Sequence, residues 1–252
     1  MTGWFVTCGC RRPSREELGK PWQLHDAAPV RQPMAPAMPL IGTIDPAWKD
    51  MSKYVVHFAK ESKFKSAYDN AIAILYERRI VAMKAFGAGR HLPHAKRSVC
   101  FSEVPLHHFK RLADARGQHG IGFRKEFLVE RGGGPILYAY KDTPQAQAIN
   151  ALVHSAAGDP AAPVWNLAPF VDLPGTYGVS TYLFEWEREW RHVGDLPFAE
   201  TEPAFLIIPE TLHDAARGFF ASAKLDHVGP SYECPFIDPY WSEDRIEMAL
   251  SG

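Results

Sequence analysis

The apolar positions of the chain predict an ordered domain that begins near Trp48. Residues 53–58, KYVVHF, are rich in β-branched and aromatic side chains, which is typical of a strand. In residues 66–79 the apolar side chains recur at helical spacing, so this segment is expected to form a helix with one apolar face. The same criteria predict strands at 98–104, 120–130 (one long strand or a pair), 135–140, 184–190 and 204–209, and helices at 105–116, 143–158 and 210–222. One helix followed by many strands indicates an α+β fold rather than a doubly wound sheet.

Two segments lack such periodicity. Residues 1–45 include a stretch rich in proline and alanine, so we expect a flexible or draped N-terminal extension before a domain that spans 46–252. Residues 159–180 contain several prolines and glycines and are predicted to form a long loop.

The composition is that of a soluble globular protein, with 252 residues, 46% apolar and 23% charged. No apolar run approaches the roughly 20 residues needed to cross a bilayer, and the N-terminus lacks the pattern of a secretory signal. Cys8 and Cys10 are too isolated to form a zinc site, so we expect no metal and unpaired thiols. A cytoplasmic location is therefore expected.

Charge is distributed unevenly although the net charge is only −1. Eleven lysines and arginines lie between Arg78 and Lys125, opposed only by Glu103 and Asp114, whereas acids outnumber bases after Glu185. The basic segment could form a surface for phosphates, or the two oppositely charged faces could attract each other.

The stretch FEWEREW at 184–190 places three glutamates on alternate positions. As a strand it would put Glu185, Glu187 and Glu189 on one face, about 7 Å apart. Phe184, Trp186 and Trp190 would then face the core. Aligned carboxylates repel one another and shift their pKa values upward unless cations lie close by, so this row is either a solvated outer face or a site.

Three chemistries use such carboxylates. A glycosidase needs two carboxyl groups about 5–10 Å apart. A metal nuclease needs carboxylates for Mg²⁺ and usually a nearby lysine, which this stretch lacks. In ADP-ribosyl transfer one glutamate anchors the ribose beside nicotinamide and stabilises a cationic transition state.

Several segments resemble known families. Residues 54–90, which begin YVVHF and end GAGR, and the segment SVCFSEVPLHHF resemble DarT-like ADP-ribosyltransferases. The segments GIGFRKEFLVERGGGPILYAY, FEWEREWRHVGDLPF and FIDPYWSEDRI resemble AbiGi, a family of abortive-infection phage-resistance proteins. Together they cover most of residues 48–248. The resemblance implies an ADP-ribosyltransferase-like fold, a split mixed β-sheet with flanking helices and an NAD cleft.

The resemblance also implies roles for single residues. Glu189 matches the catalytic glutamate, and Glu187 would orient the acceptor or share a proton. His57 matches the histidine that binds the NAD ribose and assists catalysis. These roles require that His57 and Glu189 lie on the same groove of the folded protein.

Four further residues are expected to bind NAD as co-substrate. Ser102 matches the polar position of the second strand, and Arg90 would meet the pyrophosphate. Tyr54 and Tyr76 would stack on nicotinamide.

The resulting hypothesis is an NAD-dependent ADP-ribosyltransferase, a toxin-type phage-defence effector restrained by a partner. Its basic segment favours DNA or RNA as the acceptor over a protein. Because the resemblance includes proteins described as antitoxins, the first alternative is a non-catalytic antitoxin or sensor of the same fold. The second alternative is a carboxylate-based glycoside hydrolase.

Overall fold

The structure, a computed structural model, describes residues 51–103 and 105–251, and contains fourteen strands in that part of the chain. They are β1 Tyr54–Phe58, β2 Arg79–Ile80, β3 Lys84–Ala85, β4 Arg97–Ser102, β5 Gly120–Arg124, β6 Gly134–Pro135, β7 Leu137–Tyr138, β8 Val171–Asp172, β9 Gly175–Tyr177, β10 Ser180–Tyr182, β11 Glu189–Val193, β12 Leu196–Pro197, β13 Pro203–Ile207 and β14 Phe236–Ile237. The predictions for residues 1–45, including Cys8 and Cys10, lie outside the described residues.

Eight of these strands form the central sheet, in the order β14, β13, β5, β1, β4, β11 and β6, with β3 paired to β4. The β13–β14 pair is parallel and the other pairs are antiparallel, so the sheet is mixed. Three small sheets pair β2 with β12, β7 with β8, and β9 with β10.

The central sheet is nearly split between β1 and β4. These neighbours share a single residue pair, Val56 with Ser102. By contrast, β1 and β5 share five pairs, and β4 and β11 share five pairs. The sheet therefore consists of two well-paired halves joined at one position.

Seven α-helices occur in the described residues: α1 Ala67–Glu77, α2 Phe109–Arg116, α3 Lys125–Glu130, α4 Pro144–Ser155, α5 Val164–Leu167, α6 His213–Leu225 and α7 Glu243–Leu250. A capping box between Ser66 and Asp69 begins α1, and the Thr143 hydroxyl accepts from the amide of Ala146 at the start of α4. These helices and the mixed sheet confirm the predicted α+β class. None of the described helices has the length and apolarity that a membrane crossing requires.

Apolar clusters cover both faces of the sheet. On one face Val55 and Phe101 pack with Leu75 of α1 and Phe220 of α6. On the other face lies a cluster of Val56, Phe58, Phe109, Leu112, Phe205, Ile207, Ile237 and Ile246, which brings in α2 and α7. Neighbouring residues of β1 thus belong to opposite clusters, as strand alternation requires.

The prediction of strand structure over 120–130 is wrong in its second half. The strand ends at Arg124 and α3 follows at once. The consecutive side chains of Phe127 and Leu128 are both buried in the same apolar cluster. A helix allows this, whereas a strand would point them to opposite faces.

Residues 159–180 are not a plain loop. They contain α5, β8, β9 and the start of β10, and they contribute to a third apolar cluster with α4. Trp165 is buried there, and its indole Nε1 donates to the Asp159 carbonyl at 2.8 Å. Burial of a few large apolar side chains therefore gives regular structure to this segment, although its prolines and glycines predict a long loop. The predicted strand at 135–140 is likewise shorter and divided, into β6 and β7.

Gly122 is the tightest glycine of the sheet, and it yields a stability prediction. A Cβ atom at Gly122 would lie 2.3 Å from the Phe205 ring, which is fully buried. Gly122→Ala should therefore lower the free energy of unfolding by about 1–3 kcal/mol. At Gly218, inside α6, a Cβ atom meets nothing within 4 Å, so Gly218→Ala should raise stability by about 1 kcal/mol. Urea denaturation of both variants tests this, and equal effects would contradict the packing described.

Candidate functional site

The glutamate stretch is not one continuous strand. Residues Glu185–Glu187 form a 3-10 turn, and Arg188 has a left-handed backbone with φ 46°. Strand β11 begins only at Glu189, so the three glutamates do not share one face. The reversal at Arg188 also leaves Trp186 37% exposed, and Phe184 equally so, instead of in the core.

Glu189 forms a two-point ion pair with the buried Arg191. The Arg191 Nε donates to Glu189 Oε1 at 2.8 Å, and Nη2 donates to Oε2 at 3.0 Å. Nη2 also reaches Asp172 at 3.0 Å, and Nη1 donates to the Pro169 carbonyl at 2.6 Å. The guanidinium is 0% exposed, and these acceptors compensate for its burial. Burial alone would lower the pKa of Arg191, but the hydrogen bonds and charges of Glu189, with Asp172, outweigh it and raise the pKa, so the guanidinium stays charged.

Glu187 is engaged in the same manner. Its carboxylate is buried and pairs with Arg116, whose Nε donates to Oε2 at 3.1 Å. The Ser102 hydroxyl donates to the same oxygen at 3.4 Å. Ser102 and Glu187 thus contact each other, but as parts of an internal ion pair with Arg116. This is not the NAD-binding or acceptor-orienting role that was predicted for them.

A third buried pair lies beside these two. Lys125 and Glu103 are both nearly inaccessible, with Nζ and Oε1 2.6 Å apart. The indole of Trp190 donates to the other Glu103 oxygen at 2.8 Å. Lys125 also lies 5.3 Å from the centre of the Trp190 ring, a cation–π contact.

One of these pairs joins the basic and the acidic segments of the chain. Arg116 of the basic segment neutralises Glu187 of the acidic part of the chain, which is the attraction between faces that the sequence allowed. Within the described residues Lys84, Arg90 and Arg97 form no ion pair, so part of the basic segment stays available to a ligand.

His57 is held by a different part of the sheet. Its Nδ1 donates to the Cys100 carbonyl at 3.0 Å, and its ring meets Phe101 edge-on at 5.8 Å. Burial lowers the pKa of His57, which keeps the ring neutral. Burial also raises the pKa of the Cys100 thiol, so that group is no thiolate nucleophile.

The sheet register separates His57 from Glu189. Val56, Ser102 and Glu189 stand side by side across β1, β4 and β11, and therefore face the same way. His57 is one residue further along β1, so its side chain points to the other face. The structure brings Ser102 and Glu189 together and does not place His57 on their face.

The Lys60 ammonium connects the two faces electrostatically. Burial and the nearby Arg116 charge lower the pKa of Lys60, whereas the Glu189 carboxylate opposes that shift. Lys60 in turn contributes to the lowered pKa of His57. The Lys60 charge thus interacts with both predicted residues.

The three remaining predicted residues lie apart from one another. Tyr54 packs edge-on against Phe205, at 5.2 Å, on the Val56 face. Tyr76 is exposed and lines an apolar cavity of about 210 Å³ between α1 and α6. Arg90 is exposed beyond the turn at Gly87.

Gly87 explains the GAGR turn structurally. Its φ is 81°, and a Cβ atom there would lie 2.1 Å from the Ala168 carbonyl oxygen. The next residue, Ala88, donates its amide to the carbonyls of Ala168 and Val171. The glycine therefore permits close contact between two backbone segments.

Sequence reasoning missed the basic partners of the glutamates. Arg191 lies two residues after Glu189 on one strand, so the alternation of β11 places both on one face. That spacing was a usable signal. The pairing of Asp172 and Arg116 with this region has no local signal, because they lie 19 and 71 residues from their partners.

A comparison with family models gives one match. Residues 56–159 match the family “Putative abortive phage resistance protein AbiGi, antitoxin”. The AbiGi match begins in β1 and ends just after α4, which is less than half of the chain. It includes His57 and Ser102 but neither Glu187 nor Glu189. No curated protein and no solved structure matches the chain.

Arg191 should be a major contributor to stability. Its replacement in Arg191→Met leaves the carboxylates of Glu189 and Asp172 without their cation, and the expected loss is about 3–5 kcal/mol in the free energy of unfolding. The matched control is Arg245→Met, which removes the exposed partner of Glu210 and should cause little change. Urea denaturation measures both, and equal small losses would show that the buried network is energetically unimportant.

Proposed function

We propose that the chain is a non-catalytic, antitoxin-type component of an abortive-infection system that acts by binding a partner protein, the toxin. The AbiGi description of residues 56–159 supports this function. It favours the antitoxin over a toxin-type effector of the same fold.

The observation that carries this proposal is that the Glu189 carboxylate is already paired inside the protein. Both of its carboxylate oxygens accept from the guanidinium of Arg191. In ADP-ribosyl transfer the glutamate must hold a ribose hydroxyl, and turning it toward a ligand would weaken the compensation of a fully buried cation. Glu187 is likewise paired, with Arg116. Two free carboxyl groups, which a glycosidase requires, are therefore not offered by this stretch.

NAD-dependent ADP-ribosyl transfer is the second candidate, favoured by the near-split of the sheet. Ser102 and Glu189 stand in register at the single pair that joins the halves, and the Lys60 charge interacts with Glu189. A dinucleotide bound there would meet cations suited to its phosphates. Lys84, Arg90 and Arg97 would favour a nucleic-acid acceptor, with a protein acceptor as the alternative.

One experiment separates the two candidates. The purified chain is incubated with labelled NAD⁺, DNA, RNA and the protein encoded by the neighbouring gene. We expect no nicotinamide release and no labelled product, but a stable complex with the neighbouring gene product and suppression of its toxicity in cells.

Glu189→Gln, with Glu61→Gln as a control at an exposed glutamate, completes the test. Label transfer by the wild-type chain and by Glu61→Gln, but not by a folded Glu189→Gln, would overturn the antitoxin proposal and establish the transferase. Thermal melting followed by circular dichroism verifies that each variant is folded.

A further inference from the structure

Residues 175–186 form an exposed segment that we name the apolar hairpin. Strands β9 and β10 pair antiparallel around a turn at Gly178, where φ is 63°, and the chain then runs through the 3-10 turn. Five large side chains of this segment are exposed: Tyr177, Val179, Leu183, Phe184 and Trp186. Val179, at the tip, is fully exposed. Exposed apolar side chains at this density mark an interaction surface.

The apolar hairpin carries little charge of its own, since Glu185 is its only charged residue. Residues 173–184 contain no charged side chain. Within the described residues β9 and β10 pair only with each other, so neither has a further strand at its outer edge. Proteins usually protect such edges with charged side chains or with a covering element. Apart from Lys141 at the edge of β9, the hairpin strands have neither, which favours a second molecule as the cover.

The hairpin is nevertheless fixed to the body of the domain. Lys141 Nζ donates to the Thr176 carbonyl at 2.9 Å, and the Tyr177 hydroxyl donates to the Leu173 carbonyl at 2.7 Å. The Tyr182 hydroxyl donates to Asp172, which also accepts from Arg191. A surface held in place by such contacts loses little conformational entropy on binding.

Each exposed aromatic ring of the hairpin has a cation beside it. Arg111 lies 5.0 Å from the centre of the Trp186 ring and has no carboxylate partner within residues 51–103 and 105–251. Arg116 and Lys141 lie 5.6 Å and 5.1 Å from the rings of Phe184 and Tyr177. Tryptophan, tyrosine and arginine dominate the energetics of protein interfaces. Arg116 also pairs with Glu187, and Lys141 Nζ lies 3.7 Å from Asp142, so Arg111 is the rim cation best placed to meet a carboxylate of the partner.

We propose that the apolar hairpin is the docking surface for a partner protein whose contact face has an apolar centre and an acidic residue positioned to meet Arg111. This inference rests on the proposed function, in which that partner is the toxin. The aliphatic side chains of Val179 and Leu183 favour a protein over a nucleic acid, because bases and phosphates offer stacking and charge but little for branched aliphatic groups.

The test measures binding of the protein encoded by the neighbouring gene by biolayer interferometry. Val179→Asp adds a carboxylate at the exposed tip and should weaken binding at least tenfold without changing the fold. Trp186→Ala should also weaken it at least tenfold. The control is Leu225→Asp, an equally drastic change at a side chain that is 79% exposed at the end of α6, and it should bind like the wild type.

The outcomes separate this inference from the proposed function. Unchanged binding by both hairpin variants would overturn the docking surface but leave an antitoxin intact. No binding by the wild-type chain would overturn both. Two parallel measurements complete the test. If the chain binds a 20-nucleotide DNA in a salt-dependent manner and Trp186→Ala abolishes that binding, the surface belongs to a nucleic acid and the proposal is overturned. If the chain dimerises in sedimentation and Val179→Asp abolishes the dimer, the surface belongs to a second copy of the chain and the proposal is likewise overturned.

Discussion

The buried guanidinium of Arg191 is the interaction on which the rest of this structure depends. It joins two parts of the chain: β11, through Glu189, and residues 169–172, through the Pro169 carbonyl and the Asp172 carboxylate. A fully buried cation is stable only when all its acceptors are in place. Its burial therefore fixes how the third apolar cluster and the central sheet meet at this point.

The same network reaches the protein surface. Asp172 accepts from Arg191 inside the domain and from the Tyr182 hydroxyl of the apolar hairpin. The hairpin is consequently positioned by a buried ion pair, although its outer side chains are exposed. The glutamate stretch therefore has two physical roles: Glu187 and Glu189 stabilise the interior, and the preceding aromatic side chains of Phe184 and Trp186 are exposed.

Sequence patterns predicted the elements whose periodicity is set by the core. The strand at Tyr54–Phe58 and the helix at Ala67–Glu77 follow from local spacing and a capping box. The pattern failed at Glu185–Glu187, because alternation assumes an extended backbone and the left-handed Arg188 interrupts it. It also failed at α3 and at 159–180, where burial of Leu128 and Trp165 against distant segments decides the local structure.

For the candidate site, sequence reasoning identified charged residues but not their partners. It predicted that the glutamates would need cations close by, and the structure places Arg191 beside Glu189 and Arg116 beside Glu187. It could not foresee that Arg116 would pair with Glu187, or that Asp172 would share Arg191 with Glu189, because such pairings depend on the complete topology. The register at Val56 and Ser102 places Glu189 on the same face of the sheet as Ser102, while the sheet alternation turns His57 to the other face.

The most direct test of this account is a double-mutant cycle between Glu189 and Arg191, measured by urea denaturation. Glu189→Gln, Arg191→Lys and the combined variant are compared with the wild type. The account predicts a coupling energy of about 1–3 kcal/mol, because the two groups form one buried pair. A coupling energy indistinguishable from zero would contradict it and would leave the Glu189 carboxylate free for chemistry.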